Sequence, residues 1–212
     1  MDKITHDQIS NESEEIQSNV SNESKDKMRL KQERAKLSNY KKSQKQWVIL
    51  TTRFNNETWN INKDYRKTKG VQCVYCSPHM ACKDIPPSSL LFVLEMNNDE
   101  NKIKGIGLIR NKFVNYKHEV YDNMAYNRYN YVGHNYISRQ EMNVEEQILM
   151  KYLDYTCFKG NRHLKRGQGL TRYPIMHLYK WKDKIDLVNY VRFMFKRRVE
   201  SNMKKDKYKT KT

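Results

Sequence analysis

Residues 90–109 read LLFVLEMNNDENKIKGIGLI, and this stretch decides the fold. An apolar run over 90–94 leads into a polar turn over 97–101, and apolar residues return over 103–109. Two such runs joined by a polar turn predict an antiparallel β-hairpin. Gly105 and Gly107 lie on the same face of its second strand, where a glycine indicates a bulge or the close approach of another backbone.

The segments around the hairpin predict further strands. The β-branched run over 47–52 predicts a buried strand, and the polar stretch 53–70 predicts a helix or a long loop. After the hairpin, the alternating residues 126–132 and the pair 136–137 predict another strand or hairpin.

Two helices are predicted in the last third of the chain. Asn143 with Glu146 three residues later is the pattern of a reciprocal helix cap, and helical spacing of apolar residues predicts a last helix near 183–199. The predicted apolar face of the first of these helices consists of Val144, Ile148, Leu149, Tyr152 and Leu153.

These elements predict one α+β domain over 46–200, built on a small, partly open β-barrel or a curved mixed sheet flanked by helices. Residues 1–45 lack apolar periodicity and predict a disordered tail, basic in its second half. Residues 201–212 predict a short basic C-terminal tail.

Composition narrows the class of protein. Hydrophobic residues make up 37% of the 212 residues, and no apolar run approaches the roughly 20 residues that span a bilayer. The polar N-terminus lacks a signal-peptide pattern, so the sequence predicts an intracellular protein, in the cytoplasm or nucleus, that does not bind membranes. In that setting the four cysteines are expected as reduced thiols or metal ligands.

Charge is distributed unevenly along the chain. The net charge is +17, yet residues 1–24 carry −5 and residues 25–45 carry +7. Residues 159–212 carry +13, which leaves +2 for the centre of the chain. A nearly neutral body with basic ends is typical of proteins that bind a polyanion, although lysine-rich ends also serve solubility.

The segment 159–171 is the most distinctive basic stretch. It combines four cations and a histidine with three glycines, which allow backbone N–H groups to approach phosphate closely. A solvated basic loop is the alternative. The predicted phosphate contacts of this loop and its end are Lys159, Arg162, His163, Lys165, Arg166 and Arg172, and those of the last helix are Arg192, Lys196, Arg197 and Arg198.

Tyrosines interleaved with basic residues characterise the middle of the chain. Rings beside cations offer stacking platforms for unpaired bases, while some of them are expected to pack in the core. The tyrosines are Tyr116, Tyr121, Tyr126, Tyr129, Tyr131 and Tyr136.

The cysteines Cys73, Cys76 and Cys82 and His79 have the spacing C-x2-C-x2-H-x2-C. A C-x2-C turn presents two thiolates toward one point, as tetrahedral zinc requires, so these four residues are a candidate Zn²⁺ site. The alternative is that the cysteines are small core residues.

The sequence contains no convincing catalytic set. The histidines are scattered, and no hydrolase, metalloprotease or deaminase motif occurs. A metal-dependent nuclease that uses Glu95, Asp99 and Lys104 is the enzymatic alternative.

The hairpin resembles the central hairpin of PUA-like barrels, especially their YTH and EVE branches. The strand at 90–94, the glycine-containing strand at 104–109 and the opening strand at 47–50 carry the resemblance, which covers roughly residues 47–140. It implies a nucleic-acid-binding barrel that holds a modified base in an aromatic cage, with Trp59, Tyr129 and Tyr131 as the cage candidates. The Lys-, Asn- and Tyr-rich composition is also similar to that of small proteins of AT-rich large DNA viruses, for which the virion is a further location.

These observations together predict a non-catalytic nucleic-acid-binding protein, with RNA favoured over DNA and with an unpaired or modified base as the ligand. Two alternatives stay open. One is a metal-dependent enzyme acting on nucleic acid, and the other is a zinc-stabilised transcription or packaging factor that binds protein.

Overall fold

The computed structural model describes residues 6–43, 47–114 and 118–209, with side chains over 25–43, 47–114 and 118–201. The described residues up to Ser43 form one unit, and those from Trp47 onward form another.

The first unit consists of helix α1, His6–Ser43. Over residues 25–43, Met28 and Leu30 are exposed and Leu37 is half-buried, so this part of the helix has no fully buried apolar stripe. This helix lies in the segment 1–45 for which the sequence predicts a disordered tail, and the disorder stays a prediction. The helix follows from intrinsic propensity, because residues 25–37 consist almost entirely of strong helix formers.

The second unit is an α+β domain of seven strands and four helices in the described residues. The strands are β1 Trp47–Phe54, β2 Cys73–Ser77, β3 Leu90–Asn97, β4 Lys102–Arg110, β5 Tyr129–Gly133, β6 Asn135–Ser138 and β7 Thr171–Arg172. The helices are α2 Asn56–Lys69, α3 Val144–Phe158, α4 Ile175–Trp181 and α5 Leu187–Lys209.

Five strands form a mixed sheet in the order β6-β4-β3-β1-β7. Strands β1 and β3 run parallel, because α2 and β2 connect them, and the other neighbours are antiparallel. Strands β2 and β5 form a second, antiparallel pair. The predicted α+β fold and its hairpin are therefore confirmed. The described strands make an open mixed sheet and do not close into a barrel.

Glycines allow the two sheets to approach each other. A Cβ atom at Gly107 in β4 would lie 1.9 Å from the Tyr75 hydroxyl of β2. A Cβ atom at Gly133 in β5 would lie 2.2 Å from the backbone carbonyl of Leu108. The close approach predicted at the glycines of β4 is therefore present, with a tyrosine side chain at Gly107 as the neighbour.

Helix α3 begins as predicted but buries a different face. Asn143 and Glu146 form the reciprocal cap, whereas Ile148 is 61% exposed and the neighbouring Leu149 is buried. The buried face includes Glu146, because its carboxylate accepts hydrogen bonds from two arginines of α5. The predicted face was therefore wrong at Val144, Ile148 and Tyr152 and correct at Leu149 and Leu153.

The apolar residues whose helical spacing predicted α5 are only partly buried as a set. Leu187, Val191, Met194 and Phe195 are buried, whereas Tyr190 is half-buried and Val199 is 40% exposed. Helix α5 continues to Lys209, so residues 201–209 belong to this helix and not to a separate tail. None of the helices in the described ranges combines the length and the apolar character that a bilayer span requires.

Helix α2 separates two cavities of the domain. Asn55 caps its start reciprocally with Thr58, and Gly70 ends it in the left-handed region with φ of 65°. The polar stretch 53–70, predicted as a helix or a long loop, is therefore mainly a helix.

Candidate nucleic-acid interface

The basic loop 159–171 is attached to the carboxyl ends of the two parallel strands. The Arg53 side chain at the end of β1 donates from Nε to the Leu164 carbonyl at 2.6 Å. Asn98, just after β3, donates from Nδ2 to the Lys165 carbonyl at 3.2 Å. Ligands of open α/β sheets bind in the crevice outside the carboxyl ends of parallel strands, so the loop borders a favourable position.

Glycines shape the loop where it passes the domain. Gly160, Gly167 and Gly169 all have positive φ, a region that side chains rarely adopt. At Gly169 a Cβ atom would also lie 2.2 Å from the Ser77 hydroxyl. The glycines noted in the sequence are therefore needed for the course of the loop.

A cavity of about 510 Å³ lies at this end of the sheet, and we call it the strand-end pocket. Its size is typical of a small-ligand site. The wall combines aromatic rings, amides and carboxylates with one guanidinium group. Its polar residues include Arg53, Asn55, Glu57, Asn98, Asp99, Asp122 and Asn123, its rings are Phe54, Tyr75, Tyr121 and Tyr126, and Gly169 of the basic loop completes it.

Two polar atoms of the pocket residues are buried without a hydrogen-bond partner in the described part of the chain. These are Nη1 of Arg53, a donor, and Oδ1 of Asn98, an acceptor. Burial lowers the pKa of Arg53, partly offset by the neighbouring Cys157 thiol, and the guanidinium nevertheless stays protonated. Both atoms are enclosed by the protein, so a ligand would reach them only through a local rearrangement of the pocket wall.

The ring of Tyr121 is held in place from behind. Its hydroxyl accepts a hydrogen bond from Nδ2 of the fully buried Asn62 at 3.0 Å. Burial raises the pKa of Tyr121, so the hydroxyl stays protonated at neutral pH. This part of the wall is therefore positioned by the protein and does not depend on a ligand for its place.

A second cavity, of about 650 Å³, lies on the opposite face of α2, and we call it the cationic pocket. It is lined by six cations and by the rings of Trp59 and Tyr136, and no carboxylate is part of its lining. The six cations are Lys63, Arg66, Lys67, Lys102, Lys104 and Arg139.

A buried glutamate holds Arg66, one of the two arginines that line this pocket. Glu95 accepts a hydrogen bond from Nη1 of Arg66 at 3.1 Å and one from the Tyr75 hydroxyl at 2.7 Å. It sits at a bulge of β3, and its side chain is fully buried. Burial and the Glu95 charge both raise the pKa of Tyr136, whose hydroxyl lies next to this group.

The residues of the nuclease alternative do not meet at one point. Glu95 is enclosed in the core, Asp99 lines the strand-end pocket, and Lys104 lines the cationic pocket. In addition, Lys104 is paired with Glu100 at 2.8 Å. This arrangement does not support the three residues as a common metal centre.

The predicted phosphate contacts of the loop lie on or near the surface. Lys159, Arg162 and Arg166 are exposed, whereas His163 and Lys165 are half-buried. The His163 ring accepts a hydrogen bond at Nδ1 from the backbone N–H of Lys165, at 3.3 Å. The backbone of this loop is thus attached beside the strand-end pocket at Leu164 and Lys165, and its cationic side chains are exposed or half-buried.

The remaining predicted cations have different environments. Arg172 is exposed and forms an ion pair with Asp84. The guanidinium of Arg192 lies over the Trp47 ring at 4.9 Å. Lys196 is exposed and lies 3.7 Å from Glu200.

Arg197 and Arg198 have a structural partner in α3. They contact the carboxylate of Glu146, which is 1% exposed, at 2.8 and 2.7 Å. These two arginines connect α5 to α3, so they are less available to a phosphate than their sequence pattern indicated.

The three predicted cage rings do not come together. Trp59 lines the cationic pocket, and Tyr129 packs edge-on against Phe113. Tyr131 is 2% exposed, and its hydroxyl accepts a hydrogen bond from the Ala81 N–H. The structure therefore does not form the cage from these rings. Among the other tyrosines of the series, Tyr121 and Tyr126 line the strand-end pocket, Tyr136 lines the cationic pocket and Tyr116 lies outside the described residues.

The four candidate zinc ligands are likewise not brought together. Cys73 and Cys76 lie on strand β2, three positions apart, and pack into different clusters on opposite faces. His79 is exposed, and burial raises the pKa of the Cys73 and Cys76 thiols to about 12, which disfavours thiolates. No group of three or more metal-ligating side chains occurs in the described residues. Zinc binding stays a prediction without support from this geometry.

Sequence reasoning missed several residues of both pockets. Lys63 and Lys67 are one helical turn apart, and Lys102 and Lys104 are two residues apart on a strand, so each pair shares a face, but the sequence analysis did not single out either pair. Nothing in the spacing indicated that both pairs line one cavity. Arg53 and Asn98 belong to no sequence motif.

Comparisons with protein-family models, with curated proteins and with solved structures found no match for this chain.

Proposed function

We propose that the protein binds single-stranded nucleic acid, with RNA preferred over DNA, and holds one unpaired base in the strand-end pocket. The observation that carries the proposal is the attachment of the basic loop beside this pocket by Arg53 and Asn98. A ring-lined cavity and a cationic loop next to each other match the two parts of a nucleotide, its planar base and its phosphate.

The chemistry of the strand-end pocket favours a base over a phosphate. Its carboxylates, Glu57, Asp99 and Asp122, repel phosphate but accept hydrogen bonds from the N–H groups of a base edge. Arg53 supplies a donor for the acceptor atoms of a base. The rings of Tyr121 and Tyr126 offer faces and edges for stacking.

The arginines and lysines of the basic loop are suited to bind the phosphates on either side of such a base. The arginines form charge-assisted hydrogen bonds with phosphate oxygens, and the lysines act as point charges. The net charge of +13 over residues 159–212 strengthens the attraction at long range.

The preference for RNA is expected because only an unpaired base can enter the pocket. A base that enters a cavity must be unstacked and unpaired, and sequence-specific RNA recognition mostly targets bases in loops, bulges and ends. The apolar wall of Phe54 and Ile61 is compatible with an added methyl group. Methylated and unmethylated bases are therefore both included in the test.

The first experiment measures the binding of labelled single- and double-stranded RNA and DNA by fluorescence anisotropy at two salt concentrations. We expect salt-sensitive binding with a preference for single-stranded RNA. Oligonucleotides with and without a methylated base then identify the ligand. Equal affinity for all four forms would contradict the base pocket, and no binding at low salt would contradict the proposal as a whole.

A substitution in the pocket tests the base contact. We expect Tyr126→Ala to weaken single-strand binding by about 1–3 kcal/mol, which is typical when one stacking ring is removed. Tyr129→Ala is the matched control, because Tyr129 lines none of the described pockets and is similarly half-buried. If both variants bind with the same reduced affinity, the pocket is not the site of the base.

Incubation of the same oligonucleotides with Mg²⁺ or Mn²⁺ tests the enzymatic alternative. Under the proposal their length and base composition stay unchanged, while bound RNA shifts in anisotropy. Metal-dependent shortening or base conversion would favour the enzyme instead.

A further inference from the structure

We propose that the cationic pocket is a separate site for a compact polyphosphate group, either a diphosphate or a triphosphate. This site lies on the face of α2 opposite the strand-end pocket, so the inference does not rest on the proposed function. Its evidence is the arrangement of cations, the charge balance and the fixed wall that Arg66 forms with Trp59 and Tyr136.

The spacing of the lysines concentrates positive charge in one cavity. Lys63 and Lys67 are four residues apart on α2, and Lys102 and Lys104 are two apart on β4, and all four line the cavity. Like charges at these spacings repel each other and destabilise the elements that carry them. An anion bound between α2 and β4 would attract the lysines of both elements and so offset their mutual repulsion.

Protein carboxylates neutralise only some of these cations. Arg66 is paired with Glu95, Arg139 with Asp154 and Lys104 with Glu100. In contrast, Lys63 and Lys67 have no ion-pair partner in the described residues, and Lys102 interacts with the charge of Asp154 without forming an ion pair. Net positive charge from two elements thus lines a cavity without a lining carboxylate, which suits an anion of several charges.

Arg66 is fixed in the wall of the pocket. Its guanidinium carbon lies 5.1 Å from the centre of the Trp59 ring and 4.9 Å from that of the Tyr136 ring. Glu95 holds its terminal nitrogens, and the buried Nε has no hydrogen-bond partner in the described part of the chain. Arg66 is therefore a fixed part of the wall whose charge is balanced by Glu95, and the lysines supply the charge that is open to a ligand.

The dimensions favour a compact group over a strand that crosses the surface. A volume of about 650 Å³ lies within the range of small-molecule sites. A diphosphate or triphosphate brings several charges into one such cavity, whereas an extended strand brings one charge per nucleotide. The group has two sources, a free nucleotide or the 5′ end of an RNA, and the test distinguishes them.

The test measures binding of inorganic triphosphate to the full-length protein by isothermal titration calorimetry. We expect one saturable site, weakened about a hundredfold in the triple variant Lys63→Ala, Lys67→Ala and Lys102→Ala, which removes three charge-assisted hydrogen bonds to the ligand. The corresponding triple substitution to arginine keeps the charge and should retain binding. The control variant carries Lys83→Ala, Lys180→Ala and Lys184→Ala, which removes the same charge from lysines outside the described pockets.

Further ligands identify the source of the group. If ATP binds as tightly as inorganic triphosphate and the 5′ state of a short RNA has no effect, the ligand is a free nucleotide. If a 5′-triphosphorylated RNA binds more tightly than the same RNA with a 5′ hydroxyl, the ligand is an RNA end. Either result supports the site.

Two results would overturn it. One is the absence of triphosphate binding to the wild-type protein, and the other is an equal reduction of affinity in the alanine and control variants. If the protein binds oligonucleotides tightly but does not bind triphosphate, the polyphosphate site is contradicted. The proposal of a base in the strand-end pocket is not affected by that result.

Discussion

The glycines of β4 are explained by the tyrosines that occupy the space above them. A Cβ atom at Gly105 would lie 2.3 Å from the Tyr136 hydroxyl, and one at Gly107 would lie 1.9 Å from the Tyr75 hydroxyl. Both hydroxyls lie next to the buried carboxylate of Glu95. The two glycines thus leave space inside the core for the tyrosine hydroxyls and the Glu95 carboxylate. Glu95 in turn holds Arg66 in the wall of the cationic pocket.

Substitution of Gly107 tests this interpretation. We expect Gly107→Ala to lower the free energy of unfolding by about 1–3 kcal/mol, because the new methyl group overlaps the Tyr75 hydroxyl. Chemical denaturation measures the change. In the double variant with Tyr75→Phe the destabilisation should be smaller than the sum of the two single effects, because the clashing atom is absent. Additive effects would show that the tyrosine is not the neighbour that matters.

The buried Glu146 predicts an acid-sensitive connection between α3 and α5. Burial raises the pKa of this carboxyl, but hydrogen bonds from Arg198 and the Asn143 N–H, together with the charges of Arg198 and Arg197, outweigh it and lower the pKa below 4.5. The unfolded chain therefore binds the proton more tightly. The stabilisation is present above a pH of about 4.5 and is lost as the pH falls through the folded-state pKa.

We expect Glu146→Gln to reduce stability at neutral pH by about 1–3 kcal/mol, since charged hydrogen bonds are weakened. The difference from the wild type should narrow as the pH falls through the folded-state pKa, below which the wild-type carboxyl is protonated as well. Denaturation curves across this pH range provide the measurement. A difference that stays constant with pH would contradict the role of the charge.

At the scale of elements, α2 is a divider whose two faces line different cavities. Trp59, Lys63 and Lys67 face the cationic pocket, whereas Thr58 and Ile61 face the strand-end pocket. This separation follows from the helical period, which places residues three or four apart on one face. Substitutions on one face of α2 can therefore test one site without altering the other.

Helix α3 offers a test of which face packs against the domain. Leu149 is 7% exposed and its neighbour Ile148 is 61% exposed. We expect Leu149→Ala to cost about 2–4 kcal/mol in stability, because it opens a cavity in the core, and Ile148→Ala to cost less than about 1 kcal/mol. Urea denaturation of the matched pair is the measurement, and comparable costs would mean that both faces are buried in solution.

At the scale of the whole molecule, the segment before the α+β domain contains an acidic part and a basic part. Residues 1–24 carry −5 and residues 25–45 carry +7, so the two halves of this region have opposite effects on a polyanion. The segment 46–212 alone carries +15. Most of the electrostatic attraction for nucleic acid is therefore expected from the domain and its C-terminal third.

Truncation separates these contributions. We expect residues 25–212 to bind single-stranded RNA at least as tightly as the full chain, because six acidic residues are removed with only one lysine. Residues 46–212 should bind more weakly and with a shallower dependence on salt, the logarithmic slope falling by about 0.7 for each phosphate that the basic segment had neutralised. Anisotropy at several salt concentrations measures both. Tighter binding by 46–212 than by 25–212 would contradict a role for the basic segment.

Features with local causes were predictable from the sequence. The β3–β4 hairpin follows from two apolar runs around a polar turn, and the start of α3 follows from Asn143 and Glu146. The buried face of α3 was not predictable, because it depends on Arg197 and Arg198 more than fifty residues away. The Cys73–Cys76 pair was interpreted as a turn, and its placement on a strand turns the two thiols to opposite faces.

The sequence by itself determined the net charge and its distribution, the α+β class, the hairpin and the helix caps, because these depend on neighbours along the chain. Only the tertiary structure brought Lys63 and Lys67 of α2 to Lys102 of β4, and Arg53 of β1 to the loop at Leu164. Both sites are formed by residues from distant parts of the chain. Such convergence is set by the packing of elements against one another, and no local pattern encodes it.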